Sequence, residues 1–145
     1  YKGPFNHQLL ILAGYESGIK KNQIVISAKG LVGRIYDVGR ISSTVMTVYD
    51  CRSEIPVRIE RTGERGIIKS DGQLILEALY LDKSVENQAK IGDLLITSGD
   101  GGLFPHNLIV GRIMFINSYG KVLVKSLVCW GNLEFISIIR KILVS

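Results

Sequence analysis

A histidine, an aspartate and a serine that could together support hydrolysis occur in the order His7, Asp50 and Ser98. In such a trio the serine attacks a carbonyl carbon, the histidine accepts its proton, and the aspartate orients the histidine. The chemistry depends on the three side chains meeting in space, which their order in the chain does not establish. Nothing beside His7 marks a general base, so the trio by itself predicts no catalytic site.

Ser98 belongs to a glycine-rich segment, Thr97 to His106, with the sequence TSGDGGLFPH. The segment is similar to the Gly-Asp-Ser-Gly-Gly stretch around the nucleophile of chymotrypsin-like proteases. The serine that should stand between Asp100 and Gly101 is missing, and Ser98 lies on the other side of Gly99. We therefore predict that the chain is not an enzyme. The alternative is an extracytoplasmic trypsin-like hydrolase of degenerate sequence.

Metal and cofactor sites are not expected in this sequence. The soft ligands His7, Cys51, His106 and Cys129 stand singly, without the short spacings that zinc sites use. The run from Gly99 to Gly102 is not a phosphate-binding loop, because such a loop needs Gly-Lys-Ser/Thr at the start of a helix. The sequence leaves open whether the two cysteines are oxidised.

The net charge of +5 favours anionic partners only if the positive residues are concentrated. They occur in separate stretches with acidic residues between them, so we expect no binding to nucleic acid. No apolar run approaches the ~18 residues that span a bilayer, and the chain starts at Tyr1 rather than at a methionine. We expect that an N-terminal part is missing before Tyr1, and an anchor, a signal or a dimerisation helix are the alternatives for it.

An internal repeat is the strongest guide to the fold. Val32-Gly33-Arg34-Ile35 returns 78 positions later as Val110-Gly111-Arg112-Ile113, and Cys51 and Cys129 keep that offset. The strand-like run that starts at Gln23 is matched 70 positions later by the run that starts at Asp93, so the second copy carries eight extra residues. A period this long indicates domain duplication and not a solenoid.

Short β-branched runs separated by turn residues make up most of the chain. Pro56 cannot donate to a ladder, so its strand should lie at an edge or beside a bulge. Asp71-Gly72 predicts a hairpin turn, residues 82–88 a short helical turn, and residues 135–144 a last strand, with an amphipathic helix as the alternative for 135–144. The fold class predicted is all-β, with two small related β-barrels packed together in a chymotrypsin-like arrangement without a catalytic site. The first barrel is assigned to residues 1–60 and the second to residues 61–145, and the last strand is left free to return to the first barrel.

Several glycines are predicted to be required by the backbone. A side chain at Gly33, inside a strand, would block close approach of a neighbouring strand or a bulge. The glycines of the 99–102 loop supply positive φ at several positions. The full set of structural positions is Gly30, Gly33, Gly99, Gly101, Gly102 and Gly111.

Three blocks of the sequence resemble the rod-shape-determining protein MreC family. Residues 26–35 are similar to the family's Gly-Leu-Val-Gly-Arg-Val block, and residues 57–67 are similar to a second block. The most specific is Ile91 to Pro105, which resembles the signature Gly-Asp-x-Val-x-Thr-Ser-Gly-x-Gly-Gly-x-Phe-Pro and is followed by Val110-Gly111-Arg112. Residues 127–130 depart from the family, which commonly has proline and acidic residues there.

The resemblance implies an extracytoplasmic domain of two β-barrels without catalysis, held at the periplasmic face of the inner membrane by an N-terminal helix. It implies a scaffold of cell-wall elongation that maintains rod shape. The implied partners are an elongation-specific penicillin-binding transpeptidase, MreD and other elongation proteins, and further copies of the chain in a homo-oligomer. No cofactor is implied.

The segment Leu103-Phe104-Pro105 is the predicted partner-binding tip. It presents apolar side chains on a loop whose glycines permit an unusual backbone path, and such a tip can anchor in a partner's pocket. The alternative is that Phe104 caps its own barrel, as a phenylalanine beside proline often does.

Overall fold

The computed structural model of the chain describes residues 7–81, 88–133 and 136–139. These residues form eleven β-strands and two single 3₁₀ turns, the turns at Tyr15–Ser17 and Trp130–Asn132. The strands are β1 (Gln8–Ile11), β2 (Ile24–Ser27), β3 (Gly30–Val38), β4 (Ser43–Thr47), β5 (Glu54–Ile59), β6 (Arg65–Ser70), β7 (Leu76–Leu79), β8 (Leu94–Thr97), β9 (Ile109–Ile116), β10 (Val122–Ser126) and β11 (Ser137–Ile139). The predicted helical turn at 82–88 lies almost entirely outside the described residues.

The strands form two antiparallel units, which confirms the all-β fold class. The first unit is a five-stranded sheet in the order β1-β4-β3-β2-β11, and the second is a closed barrel in the order β10-β7-β6-β5-β8-β9. Closure is thus seen in the second unit, while the described strands of the first form a sheet. None of the helices in the described part of the chain is long and apolar enough to cross a membrane.

The strand pairing divides the chain at a different place from the predicted boundary at 60/61. β5 pairs with β6 and β8 inside the closed barrel, so the barrel already begins at Glu54. The bend between Ile59 and Arg65 connects the two strands of the β5–β6 hairpin. β11 pairs with β2 and therefore lies in the first unit.

Pro56 lies neither on an edge strand nor at a bulge of β5, the two places that the sequence predicted, because β5 has a neighbour on each side and pairs with both without a register shift. The Pro56 carbonyl accepts a hydrogen bond from the backbone N–H of Ser98, one residue beyond the end of β8 at Thr97. A residue in a strand points its nitrogen and its carbonyl to the same side. The missing N–H of Pro56 therefore falls opposite Ser98, just beyond the end of β8, where the ladder with β8 stops.

The two units share apolar packing. Ile24, Leu31 and Val48 of the first unit belong to the same buried cluster as the interior side chains of the barrel. Trp130 packs against this cluster and against the separate cluster inside the first unit. Gly30 lies so close to β9 that a Cβ there would stand 2.7 Å from the carbonyl oxygen of Ile109. The units therefore pack as one body with little space between β3 and β9.

The duplication seen in the sequence extends to individual hydrogen bonds. Arg34 donates to the Asn22 side chain at 2.8 Å, and Arg112 donates to the Gly92 carbonyl at 2.9 Å. Asn22 and Gly92 both have positive φ, of 70° and 91°. The backbone N–H of Asn22 donates to Ile35 O, and that of Gly92 to Ile113 O. The same turn therefore precedes the β2–β3 hairpin in the first copy and the paired strands β8 and β9 in the second.

Candidate protein-interaction site

Thr97 anchors the glycine-rich loop to the end of β8. Its side chain is fully buried, and its hydroxyl donates to the Pro105 carbonyl and accepts from the Leu108 N–H at 2.8 Å. The backbone of Thr97 also pairs with Leu108 O and with Asn107 N. A single buried residue therefore closes the base of the loop, and residues 98–106 lie between two fixed ends.

The predicted positive φ is found at three loop glycines, with 82° at Gly99, 77° at Gly101 and 73° at Gly102. Nothing lies within 4 Å of a Cβ built at Gly101 or Gly102, so their need for glycine is conformational. At Gly99 a Cβ would stand 3.2 Å from the His106 Cβ. Gly99 is therefore also where the two arms of the loop come close together.

Gly33 and Gly111 need glycine for a different reason. A Cβ at Gly33 would collide with the Met46 carbonyl on β4, and one at Gly111 would collide with the Lys125 carbonyl on β10. Both residues lie in central strands of their own unit, between two hydrogen-bonded neighbours. The close approach expected for Gly33 is thus found in both copies.

The three residues of the predicted tip are not presented together. Phe104 is 3% exposed and belongs to the barrel core, whereas Leu103 is 40% exposed and Pro105 is exposed. Phe104 therefore cannot enter a partner's pocket unless the loop opens, and the structure favours the barrel-capping alternative. Of the three residues predicted to contact a partner, Leu103 and Pro105 are the two that lie on the surface.

His7, Asp50 and Ser98 do not form a hydrolytic trio around Ser98. Its hydroxyl donates to the Asp100 carboxylate at 2.9 Å, while His7 Nε2 lies 2.7 Å from the Gly72 carbonyl. Asp50 receives both guanidinium arms of Arg52, at 2.9 and 2.7 Å. In a Ser-His-Asp trio the histidine accepts the proton of the serine, and here the Ser98 hydroxyl bonds to a carboxylate on its own loop. The arrangement does not support acyl transfer.

The charge around Asp50 is that of a structural ion pair. Burial raises the pKa of the Asp50 carboxyl, but hydrogen bonds and charge from Arg52, together with His7, lower it, and the net shift is downward. The Arg52 pKa is correspondingly raised. Asp50 thus stays ionised and bound, and the guanidinium carbon of Arg52 stands 4.5 Å from the centre of the Tyr36 ring.

Metal ligands are not grouped within the described ranges, where no cluster of three or more His, Cys, Asp or Glu residues is found. Cys51 is partly buried, Cys129 is exposed, and the two are not joined in a disulfide.

Exposed apolar side chains on the strands are a feature that the sequence analysis missed. Met114 and Phe115, adjacent in β9, are 50% and 48% exposed, and Ile91 just before β8 is 66% exposed. Adjacent residues in a strand normally point to opposite faces. From the sequence alone, one of Met114 and Phe115 would therefore be expected to point inward and the other outward. No local signal marks the change, because it depends on the register of β9 against β10.

Comparison with known proteins gives a consistent result. Residues 1–140 match the family described as "Rod shape-determining protein MreC, barrel core". The cell shape-determining protein MreC of Cereibacter sphaeroides is 34% identical over 137 residues, covering 94% of this chain and 45% of that protein. That of Caulobacter vibrioides is 41% identical over 110 residues, covering 76% and 31%. The chain therefore spans less than half the length of these relatives.

Solved structures agree with the fold. The crystal structure of MreC from Pseudomonas aeruginosa superposes with a TM-score of 0.88 at 27% identity, over 97% of this chain and 93% of that one. A complex between Penicillin-Binding Protein (PBP2) and MreC from Helicobacter pylori matches with a TM-score of 0.65 at 20% identity, over 83% and 79%. At that identity the second likeness concerns the fold alone. Two packed β units in a chymotrypsin-like arrangement are consistent with these structures.

Proposed function

The chain belongs to the rod shape-determining MreC family, and from this premise we propose that it is a non-catalytic scaffold of the bacterial cell-wall elongation machinery. In this role it maintains rod shape by holding peptidoglycan-synthesis enzymes, MreD and other elongation proteins, and further copies of itself. It acts at the periplasmic face of the inner membrane, where an N-terminal segment anchors it. The curated relatives are named for cell shape and not for an enzymatic activity.

The observation that carries the proposal is the PBP2 complex, in which an MreC of the same fold is bound to a penicillin-binding protein. A scaffold needs a rigid body with accessible surface. The shared core of the two units and the barrel closed by β5 to β10 supply such a body. The most specific partner in the proposal is accordingly an elongation-specific penicillin-binding transpeptidase.

The hydrogen bonds of Ser98 support a role without catalysis. Its hydroxyl is held by Asp100, which in turn accepts from Arg65 at 3.3 Å on the surface. Arg58 of β5 donates to Asn107 at the other arm of the loop, at 2.8 Å. Polar groups on this loop thus fix its shape, and the hydroxyl of Ser98 donates to Asp100 rather than to a histidine base.

The test is crosslinking in intact envelope membranes of cells that produce the full-length protein with an affinity tag. We expect a penicillin-binding transpeptidase among the crosslinked partners, and a radiolabelled penicillin identifies it. A tagged periplasmic protein of similar abundance is the control. Failure to recover a penicillin-binding protein under conditions that recover MreD would contradict the transpeptidase part of the proposal.

The hydrolase alternative is tested separately with a fluorophosphonate probe. We expect no labelling of the native chain above the level of a Ser98→Ala variant. Labelling that depends on Ser98 and is lost on unfolding would show an activated serine and overturn the non-catalytic assignment.

A further inference from the structure

A β-bulge turns two adjacent apolar residues of β9 toward the outside of the barrel. In the pairing with β10, Phe115 faces Leu123 and Ile113 faces Val124, so Met114 is the extra residue at the register shift. An extra residue interrupts the inward and outward alternation of a strand. Ile113 consequently points inward at 1% exposure, while Met114 and Phe115 are 50% and 48% exposed.

Two further apolar residues adjoin this pair. Leu123 stands opposite Phe115 and is partly buried. The N–H of Gly92 donates to Ile113 O at 2.7 Å, which places Ile91, 66% exposed, beside Met114. We call Ile91, Met114, Phe115 and Leu123 the β9 patch.

The first unit shows that the bulge does not itself require an apolar surface. By the repeat offsets, Lys21, Tyr36 and Asp37 correspond to Ile91, Met114 and Phe115. The same register shift occurs there, between Ile35 and Asp37. In that copy Lys21 Nζ lies 5.9 Å from the centre of the Tyr36 ring, which Arg52 also approaches. In the first copy charged side chains cover the bulge, whereas in the second copy the apolar side chains at the bulge are exposed to solvent.

Positive side chains border the β9 patch. Lys125 on β10 and Lys121, just before β10, flank Leu123 and are exposed, and Arg112, directly opposite Lys125, is exposed on β9. Within residues 7–81, 88–133 and 136–139 none of the three forms an ion pair with a carboxylate. The acidic side chain nearest in the ladder is Glu77, which faces Leu123 from β7, on the side away from β9. The rim toward β9 is therefore cationic.

We propose that the β9 patch is the surface on which a partner protein docks, through apolar side chains flanked by carboxylates. The inference rests on the proposed function and names the surface that the penicillin-binding transpeptidase uses. Charge complementarity selects this occupant, because opposite potentials across an interface favour encounter and like charges oppose it. A second copy of this chain would bring the same three cations and a net charge of +5, so symmetric self-pairing across the patch is disfavoured.

The first variant carries Met114→Ser and Phe115→Ser in the 145-residue chain, with the purified periplasmic domain of the same organism's penicillin-binding transpeptidase as the probe. We expect the Kd to rise at least about tenfold, since buried aromatic anchors carry much of an interface's free energy. The matched control is Leu10→Ser with Leu12→Ser. These residues are 69% and 88% exposed in the first unit, and their replacement should leave the Kd within about twofold. Thermal unfolding of both variants checks that neither has lost its fold.

The second variant tests the rim through Lys121→Glu with Lys125→Glu. We expect a slower association rate and a weaker dependence of that rate on salt, because rim charges act mainly on encounter. Lys20→Glu with Lys29→Glu reverses two exposed charges of the first unit and is the control. Equal effects of the two charge reversals would show a non-specific charge effect and contradict the assigned rim.

The outcomes separate the two proposals. Binding by the unsubstituted chain that survives the Met114/Phe115 change overturns the β9 patch and leaves the scaffold function standing. Absence of binding by the unsubstituted chain overturns the transpeptidase partner and the patch with it. Self-association in the ultracentrifuge that the Met114/Phe115 variant abolishes would assign the patch to a second copy and overturn the acidic-partner inference.

Discussion

Gly33 and Gly111 occupy the same place in the two units, each pressed against a carbonyl of the next strand. Gly33 faces Met46 O on β4 and Gly111 faces Lys125 O on β10. The two contacts lie 78 residues apart in the sequence. The glycine of the repeated Val-Gly-Arg-Ile is therefore required by the short distance to the neighbouring strand. This requirement is the same in both copies.

Replacing either glycine with alanine should destabilise the chain. The new methyl group meets backbone, which cannot move aside as a flexible side chain can, so we expect a loss of about 1–3 kcal/mol or more in the free energy of unfolding. Urea unfolding followed by tryptophan fluorescence measures it. Gly131→Ala is the control, because nothing lies within 4 Å of a Cβ at Gly131. Equal midpoints for Gly111→Ala and Gly131→Ala would contradict the close approach.

Phe104→Ala should act on stability. Phe104 is 3% exposed within the barrel core, and removing a buried phenylalanine costs about 3–5 kcal/mol. Leu103→Ala, at a residue 40% exposed, should change the free energy of unfolding by about 0.5 kcal/mol or less. Chemical denaturation of the two variants compares them directly. An unchanged midpoint for Phe104→Ala, with loss of transpeptidase binding, would restore Phe104 as a contact residue.

Thr97 should prove essential for the shape of the loop through its hydroxyl. Thr97→Val keeps the side-chain volume but leaves Pro105 O and Leu108 N without their hydroxyl partner. Leaving buried polar groups unpaired costs about 1–3 kcal/mol. Thr97→Ser keeps the hydroxyl and should recover most of the loss. Amide hydrogen exchange at Leu108 gives the local readout. Faster exchange in the serine variant than in the valine variant would rule out this role.

The Arg61–Asp93 ion pair should make stability depend on pH in the acid range. Arg61 donates twice to the Asp93 carboxylate at 2.8 Å. These bonds lower the pKa of Asp93, while burial opposes them. A carboxyl whose folded-state pKa is depressed contributes its full stabilisation above the unfolded value of about 3.9. That contribution is lost as the pH falls through the folded pKa.

Asp93→Asn removes this titration, so its stability should fall less than that of the unsubstituted chain as the pH is lowered. Asp100→Asn is the comparison variant, because the Asp100–Arg65 pair is exposed on both sides, and exposed pairs contribute little. Thermal unfolding midpoints from pH 7 to pH 2 give both profiles. Parallel profiles for Asp93→Asn and the unsubstituted chain would assign the acid sensitivity to other groups.

The structure agrees with the predicted strands and explains the MreC blocks, but it does not agree with the predicted place of Pro56. The runs around Val25, Leu31 and Val57 are strands, as their β-branched composition indicated. The MreC blocks were recognisable because the loop glycines are required for positive φ and the glycine of each Val-Gly-Arg motif is required by the close approach of the neighbouring strand. The sequence placed Pro56 at an edge or beside a bulge because proline has no N–H to donate. In the structure the missing donor falls just beyond the end of β8. That point is a property of the neighbouring strand.

By itself the sequence determined the β-rich character of the chain, its duplication and its family, because turn residues, β-branched runs and repeated motifs act over a few neighbouring residues. The tertiary structure decided that β5 belongs to the closed barrel and that Phe104 is buried. It also decided that Met114 and Phe115 face outward together. These features depend on which distant strands pair and in what register, and a shift of one residue exchanges the buried and exposed faces of a strand.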